Sequence, residues 1–328
     1  MVCIRGRGLH NSALAEKKSP APISQSLAFS STSYWMTSMQ WRGRQASANV
    51  QDRRGQSPRS AGGGAAGLLF MVFRMFGFKG VLVVAALGGV LWAAGLNPLG
   101  LLDGGGSRTL SSAPASAEEQ ELANFVGVVL SDTERIWKEQ FAKRGARYEE
   151  PQLVLYTGQV RSGCGTGSAA MGPFYCPSDR TVYIDLSFYH ELERTFEAPG
   201  DFAQAYVVAH EVGHHVQTLT GASARVQERR GKPDYNEQSV RLELQADYYA
   251  GVWAHHNRQY LEAGDIEEAM RAANAIGDDA IQKKTQGKVV PHAFTHGTSE
   301  QRMRWFKKGL QSGSMEGGDT FSVPYSQL

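Results

Sequence analysis

The sequence predicts an α+β protein, in which a helix-rich domain with a small mixed sheet lies behind a single N-terminal transmembrane helix. Apolar residues recur at helical spacing through most of the chain after residue 117. Two short segments rich in β-branched and aromatic residues, 151–156 and 180–186, interrupt this pattern and predict strands. An uncharged apolar segment at 80–102 would be about 34 Å long as a helix, which is enough to cross a bilayer.

The sequence predicts five helices after residue 116. Their expected ranges are 117–144, 201–221, 234–257, 265–284 and 299–310. Asp201 is expected to cap the second helix, and Asp234 with Glu237 resembles a capping box for the third. A glycine inside the second helix, Gly213, costs about 1 kcal/mol of helix propensity relative to alanine, which indicates close packing or the approach of a ligand.

The apolar segment sets the predicted topology. Residues 39–79 carry seven basic residues against one acidic residue, and this excess before the segment predicts a cytoplasmic N-terminus by the positive-inside rule. A buried core helix and a cleaved signal peptide are the competing interpretations of the apolar segment. The predicted organisation is a disordered extension at 1–38 upstream of a native start at Met39, a basic cytoplasmic segment at 39–79, a transmembrane helix at 80–102, a linker at 103–116, an extracytoplasmic domain at 117–313 and a tail at 314–328.

The net charge of the chain after residue 80 argues against a nucleic-acid partner. From residue 80 onward the chain has 23 basic and 30 acidic residues, so this part is negatively charged. A negatively charged domain does not bind the phosphate backbone, and we therefore expect no nucleic-acid partner. The expected partners are a lipid bilayer, through the single transmembrane helix, and the substrate.

The segment HEVGH at 210–214 carries the strongest chemical signal. His210 and His214 are four residues apart and share one face of a helix, so both imidazoles can bind one zinc ion. Glu211 would lie beside that ion as the general base that activates water. The pattern also arises by chance, but here it lies in the middle of an apolar-periodic helix.

A zinc ion needs a third protein ligand from another element. Glu243 and Asp247 are four residues apart in the next predicted helix and lie on one face of it. We assign Glu243 as the third ligand and Asp247 as the acceptor that holds the far ring nitrogen of a ligand histidine, His210. The alternative is an ordinary solvated acidic pair on an amphipathic helix.

At this point the chain resembles the gluzincin metallopeptidases, in which HExxH is followed by a helix bearing ExxxD. More closely, it resembles the neutral zinc metallopeptidase family of bacterial membrane-anchored proteins, from about residue 39 to about residue 313. The blocks that carry this resemblance are WRGRQASANVQDRRG, SGCGTGSAAMGPFYCP, VYIDLSFY, HEVGHHVQ, VRLELQADYYAGVWAHH and FTHGTSEQRMRWF. The resemblance implies a zincin-like metallopeptidase domain with one catalytic Zn²⁺ and a peptide or protein substrate.

The same resemblance implies two further features. An edge strand upstream of the HExxH helix would bind substrate as an added strand, and the residues assigned to it are Thr181, Val182, Tyr183, Ile184 and Asp185. An ordinary sheet edge without a role in binding is the alternative. The spacing of His296 and Arg302 is similar to that of the terminal histidine and arginine of membrane gluzincins, which implies that they stabilise the substrate or its oxyanion. A helix-capping histidine and a surface arginine are the simpler alternative.

Two cysteines give information about the cellular compartment in which the domain folds. Cys164 and Cys176 flank a glycine-rich loop, and a disulfide between them would stabilise the domain by about 3 kcal/mol. Two free buried thiols, or half of a metal site, are the alternatives. A disulfide is consistent with export to an oxidising compartment.

These observations favour a zinc-dependent endopeptidase anchored in the inner membrane as a single-pass protein, with its catalytic domain in the periplasm. The alternative is a catalytically silent, zinc-stabilised module that binds or scaffolds envelope proteins. Glu211 disfavours the alternative, because a structural zinc site needs no general base.

Overall fold

The computed structural model describes residues 39–56 and 116–328, and the fold within these ranges is the helix-rich α+β arrangement with a small mixed sheet that the sequence predicts. The strands of this part are β1 (Val50–Asp52), β2 (Gln152–Tyr156), β3 (Gln159–Ser162), β4 (Gly165–Ser168), β5 (Phe174–Cys176) and β6 (Thr181–Asp185). The helices are α1 (Ala117–Lys143), α2 (Ser187–Arg194), α3 (Asp201–Leu219), α4 (Ala222–Gln227), α5 (Tyr235–His256), α6 (Asp265–Ala275), α7 (Asp278–Gln286) and α8 (Ser299–Ser312).

The main sheet has four strands in the order β1-β2-β6-β5. β2 pairs in parallel with both β1 and β6, whereas β5 runs antiparallel to β6. Side chains alternate between its two faces, as the two-residue period of a strand requires. Leu153 and Ile184 join the core beneath the helices, while Val154 and Tyr183 pack in a second cluster on the other face. The remaining strands, β3 and β4, form an antiparallel hairpin.

The prediction that Thr181–Asp185 forms an edge strand is wrong. This segment is β6, and it lies inside the sheet between β2 and β5. β5 pairs with β6 from Thr181 to Tyr183 and occupies the side on which a substrate strand would have to add. The β-branched residues of β6 predict a strand, but its position in the sheet depends on its pairing with β5. β5 is only three residues long, which is too short to be recognised from the sequence.

The predicted division of the chain by a membrane also conflicts with the fold. Residues 50–52 of β1 pair with residues 153–155 of β2, so residues 39–56 are part of the same folded body as residues 116–328. A single crossing at 80–102 would place these two parts on opposite sides of a bilayer. The assignment of residues 39–56 to the cytoplasm and of the domain to the other side is therefore not compatible with this sheet.

The predicted transmembrane helix at 80–102, the extension at 1–38 and the linker up to residue 115 lie outside the described residues. Within residues 39–56 and 116–328, no helix has both the length and the apolar character that a membrane crossing requires.

Residues 314–328, predicted as a tail, pack against α5. The Arg241 guanidinium donates to the carbonyl oxygen of Val323 at 2.6 Å and also to that of Thr320. Gln245 donates to the carbonyl of Gly318 at 2.7 Å, and Leu328 is buried. The folded domain therefore extends to the last residue of the chain.

Two glycines allow the helices to approach closely. A Cβ atom at Gly213 of α3 would lie 3.0 Å from the carbonyl oxygen of Ala246 in α5, so the prediction of close packing at Gly213 is confirmed. A Cβ atom at Gly309 of α8 would overlap the backbone of Tyr248 in α5. α5 therefore lies in direct backbone contact with both α3 and α8, and these three helices carry the site described below.

Two predicted helix starts differ in detail. Gly200, not Asp201, is the N-cap of α3, and Asp234 makes no capping hydrogen bond at the start of α5. The helix predicted at 265–284 is divided at Gly277 into α6 and α7. A Cβ atom at Gly277 would meet the backbone nitrogen of Ser299 at 2.5 Å, so the chain bends here to pass the start of α8.

Candidate metal centre

Three predicted ligands converge between α3 and α5. The Oε2 atom of Glu243 lies 3.2 Å from Nε2 of His210 and 3.6 Å from Nε2 of His214. The three ligand atoms all lie within 4.8 Å of one another. Ligands at the usual zinc distances in a tetrahedral site are about 3.3 Å apart, so the donor set and its spacing fit a zinc ion.

Each imidazole is held through its other ring nitrogen. Nδ1 of His210 lies 2.8 Å from Oδ1 of Asp247, and Nδ1 of His214 lies 2.8 Å from Oε1 of Gln217. Both acceptors favour the tautomer with the proton on Nδ1, which leaves the Nε2 lone pair directed toward Glu243. The predicted contact between Asp247 and His210 is therefore present.

Asp247 is the centre of a fully buried polar network. Its carboxylate accepts hydrogen bonds from the Tyr206 hydroxyl, from His210 and from the Arg302 guanidinium, whose Nε lies 2.9 Å from Oδ2. Burial acts to raise the pKa of Asp247, but Arg302 and His210 outweigh it and hold that pKa below its usual value. The Asp247 carboxylate is thus ionised, and its oxygens accept hydrogen bonds from Tyr206, His210 and Arg302. These bonds fix the orientation of the His210 ring.

The electrostatics of the three ligands favour a cation between them. Burial acts to lower the pKa of His210, but Asp247 and Glu243 outweigh it and raise that pKa to about 9. Burial acts to raise the pKa of Glu243, yet His214 and His296 hold it well below its usual value. Without a metal ion, a proton on His210 supplies positive charge at this position, and a zinc ion bound there would replace that proton.

Glu211 lies directly beside the converging ligands on α3. It is buried, and it does not belong to the group of three ligand atoms. Burial acts to lower the pKa of His214, but Glu243 and, to a smaller extent, Glu211 outweigh it and raise that pKa. Glu211 is therefore close enough to influence the site without occupying a ligand position.

His296 faces the same centre from the loop before α8. Glu243 and Asp278 raise the pKa of its imidazole, while burial opposes them. Nδ1 of His296 lies 3.1 Å from Oδ1 of Asp278, and Oδ2 of Asp278 accepts the backbone N–H groups of Thr295, His296 and Gly297. The side chain of His296 is 51% exposed, so its ring is both oriented and accessible.

Arg302 does not reach the accessible side of the site. It is buried, and its guanidinium donates to Asp247, to the carbonyl of Ile276 at 3.1 Å and to the Tyr206 hydroxyl at 3.2 Å. The role predicted for Arg302, direct stabilisation of the substrate, does not fit this placement. Arg302 instead holds Asp247, and through it His210, in position.

The glycine-rich loop is closed by a disulfide between Cys164 and Cys176, as the sequence favoured. The bond joins the turn of the β3–β4 hairpin to the end of β5. It therefore connects the hairpin to the strand that covers β6.

Sequence reasoning did not identify three residues that complete the site. Gln217 lies one helical turn after His214, and its amide donates to the carbonyl of Leu242 at 2.6 Å, so it links α3 to α5. Tyr206 lies one turn before His210 on the same helix face. Spacing on α3 could have indicated both, whereas Asp278 meets His296 only through the folded chain.

Comparison with known proteins agrees with this centre. A family model described as "Putative neutral zinc metallopeptidase" matches residues 39–321, which include every residue of the site. The chain belongs to this zinc metallopeptidase family.

The chain is similar to proteins of Escherichia coli and Mycobacterium tuberculosis. The chain is 48% identical over 289 residues to "Uncharacterized protein YpfJ" of Escherichia coli strain K12, an alignment that covers 86% of this chain and 99% of that protein. It is 46% identical over 189 residues to "Uncharacterized protein Rv2575" of Mycobacterium tuberculosis, covering 54% of this chain and 64% of that protein. No solved structure matches the chain significantly.

Proposed function

We propose that this protein is a zinc-dependent endopeptidase. The observation that carries the proposal is the convergence of His210, His214 and Glu243 on one point, with Glu211 beside it and outside the ligand set. A structural zinc site usually has four protein ligands, whereas three ligands with a neighbouring carboxylate are typical of a catalytic site.

His210, His214 and Glu243 would hold the ion. When bound, zinc would polarise the scissile carbonyl and make water acidic enough to attack at neutral pH. The chain's own contribution is orientation, since Asp247 and Gln217 each fix one imidazole before the ion binds. Arg302 and Tyr206 in turn fix Asp247.

Glu211 supplies the proton transfers of the proposed reaction. Its carboxylate accepts a proton from the attacking water and then gives that proton to the leaving amine, so one group serves both halves of hydrolysis. Glu243 and Asp278 raise the pKa of His296, so its ring would carry a proton on both nitrogens. Asp278 accepts the proton on Nδ1, and the Nε2–H would stabilise the negative charge that develops on the reacting carbonyl oxygen.

We also propose that residues 39–56 and 116–328 work together in an oxidising compartment. The disulfide between Cys164 and Cys176 supports this placement, because such bonds persist in the bacterial periplasm and are rare in the cytosol. Attachment to the inner membrane remains a proposal that rests on the apolar segment at 80–102.

The proposal is tested by Glu211→Gln with a fluorogenic peptide library. This variant should retain one zinc per chain, measured by elemental analysis, and lose hydrolysis by a factor of about 1,000 or more. The matched control is Glu228→Gln, which removes an exposed carboxylate after α4 and should leave hydrolysis unchanged. Equal turnover by Glu211→Gln and wild type would contradict the proposed role.

The same experiment addresses the non-catalytic alternative. A zinc-loaded wild-type protein that cleaves no peptide in the library, and yet captures intact envelope proteins in a zinc-dependent way, would indicate a binding module instead.

A further inference from the structure

A row of hydrogen bonds connects the C-terminal segment 314–328 to the proposed zinc ligand His214. Nε2 of Gln245, on α5, donates to the carbonyl oxygen of Gly318 at 2.7 Å. Nε2 of Gln217, on α3, donates to Oε1 of Gln245 at 3.2 Å. Oε1 of Gln217 in turn lies 2.8 Å from Nδ1 of His214. We call these four residues, Gly318, Gln245, Gln217 and His214, the glutamine bridge.

Both amides of the glutamine bridge are shielded from water. Gln217 has no exposed surface, and Gln245 is 6% exposed. Buried side-chain amides have to find donors and acceptors within the protein, because no solvent is available to supply them. In the bridge each amide uses its oxygen to accept and its nitrogen to donate, so both ends of each glutamine are satisfied.

The glutamine bridge has one direction, and Gly318 sets it. A backbone carbonyl only accepts, so Gln245 has to present Nε2 to Gly318 and Oε1 to Gln217. This oxygen also only accepts, so Gln217 presents Nε2 to Gln245, where the carbonyl of Leu242 accepts from the same nitrogen at 2.6 Å. Oε1 of Gln217 is thereby left for His214. Turning either amide round would bring two donors or two acceptors together.

The position of the Gly318 carbonyl is fixed independently of the metal centre. A Cβ atom at Gly318 would lie 2.8 Å from Cδ1 of Tyr248, so the segment lies directly on this ring. Arg241, one helical turn before Gln245 on α5, donates to the carbonyl oxygen of Thr320, and the Thr320 hydroxyl donates to the carbonyl of Arg241 at 2.6 Å. The C-terminal segment therefore gives Gln245 a fixed acceptor.

We propose that Gln245 is a positioning residue for His214 and that the C-terminal segment orients it through the Gly318 carbonyl. Because Oε1 of Gln217 only accepts, Nδ1 of His214 carries the ring proton, and Nε2 keeps the lone pair that binds a metal ion. Gln245 keeps the Gln217 amide from turning away from this arrangement. The inference rests on the proposed zinc site and does not depend on peptide hydrolysis.

The two histidine ligands are thus positioned by different chemistry. His210 is held by the charged carboxylate of Asp247, whereas His214 is held by neutral amides. A neutral acceptor orients the ring of His214 without adding a further buried negative charge beside Glu243. Loss of Gln245 should therefore affect His214 and leave His210 unchanged.

Zinc affinity tests the proposal through a double-mutant cycle. Gln245→Met keeps the length of the side chain and removes both hydrogen bonds, and it should weaken zinc binding by about 2-fold to 10-fold. Gln217→Met removes the direct partner of His214 and should weaken it by about 10-fold to 100-fold. The double variant should bind zinc as well as Gln217→Met alone, because Gln245 acts only through Gln217. Competition with a chromophoric zinc chelator measures all three.

Nuclear magnetic resonance of the zinc-loaded protein, with ¹⁵N-labelled histidine, separates positioning from a general loosening of the fold. In the wild type the proton on Nδ1 of His214 should exchange slowly with water. In Gln245→Met its signal should shift and its exchange should become faster. The corresponding proton of His210, which Asp247 holds, should keep its signal and its exchange rate.

Arg241→Met is the matched control. It loosens the same C-terminal segment from the same helix, but Arg241 does not contact Gln217. Its free energy of unfolding, measured in urea, should fall, while its zinc affinity should change by less than about 2-fold.

Three results would overturn the proposal: additive losses of zinc affinity in the double variant, equal changes of the His210 and His214 signals, or an equal loss of affinity in Arg241→Met and Gln245→Met. If Gln245→Met does not fold, the wild type decides. Its Gln245 side-chain amide protons should exchange with water far more slowly than those of the exposed Gln311, and equal rates would also overturn the proposal.

Failure of the proposed function gives a different result. A protein that shows the expected zinc affinities and histidine signals, and yet cleaves no peptide, would contradict the endopeptidase activity and support the role of Gln245.

Discussion

Arg302 and Asp247 form a buried ion pair behind the proposed zinc site, with Nε of Arg302 2.9 Å from Oδ2 of Asp247. The other carboxylate oxygen of Asp247, Oδ1, accepts a hydrogen bond from Nδ1 of His210. A residue of α8 thereby controls the orientation of a ligand on α3 through a carboxylate on α5. The pair gives the site a rigid support that is separate from the side open to substrate.

Asp247→Asn should weaken zinc binding by about 10-fold to 100-fold, because His210 loses the charge that orients its ring. It should also destabilise the fold by about 3–5 kcal/mol, since Arg302 is left buried without its partner. The double variant Asp247→Asn/Arg302→Met should regain most of the stability and none of the zinc affinity. Urea denaturation and zinc titration measure the two quantities, and equal stability losses in both variants would disprove the pairing argument.

Asp278 should act on catalysis only through His296. We expect His296→Ala to lower kcat/KM by about 100-fold, the loss typical of removing one oxyanion donor. Asp278→Asn should cost about 10-fold, and the double variant should be no slower than His296→Ala alone. Zinc content should stay at one per chain. His292→Ala, at an exposed histidine in the same loop, is the control, and additive losses would show that Asp278 has a separate role.

Zinc binding should release protons at neutral pH. Because the pKa of His210 is about 9 in the absence of metal, this imidazole is protonated at pH 7 and has to lose its proton to bind zinc. Zinc affinity should therefore increase with pH up to about 9. Calorimetry in two buffers of different ionisation enthalpy measures the number of protons released, and Asp247→Asn should reduce it. A binding enthalpy that is independent of buffer at pH 7 would contradict this prediction.

His215 should make the fold sensitive to mild acid without binding zinc. Its Nε2 lies 2.6 Å from the carbonyl oxygen of Glu149, and burial lowers its pKa to about 4. Relative to an unfolded pKa of about 6.5, its stabilising effect is fully present above pH 6.5 and is lost as pH falls toward 4. Between pH 6.5 and pH 4 the free energy of unfolding of the wild type should fall by on the order of 3 kcal/mol more than that of His215→Gln, because glutamine takes no proton. Parallel stability curves for the two proteins would refute the assignment.

The helices and the core of the site follow from local rules. His210 and His214 are four residues apart on α3, and Glu243 and Asp247 are four residues apart on α5, so helix geometry alone places each pair on one face. The meeting of the two sets was predictable because zinc needs three ligands. Close packing at Gly213 followed from the low helix propensity of glycine.

The errors arise where distant segments meet. β5 and β1 are three residues long, too short for the periodicity of a strand to be recognised. Because the sequence does not reveal these two strands, it predicts β6 at an edge of the sheet and residues 39–56 in a separate compartment. The sequence does not indicate Gln217, because a single glutamine in an amphipathic helix carries no distinguishing pattern. It does not indicate Asp278, because its contact with His296 spans 18 residues and a change of element.

The position of β1 in the sheet determines which fragments of the protein can fold without exposing a strand. Its contact with the next strand spans about a hundred residues, as the hydrogen bond between Gln51 and Gln152 illustrates. A fragment that starts at residue 117 would retain the zinc ligands but leave the outer side of β2 uncovered. Unpaired backbone groups along an apolar strand recruit other extended chains, so such a fragment should aggregate, and soluble expression requires residues 39–56.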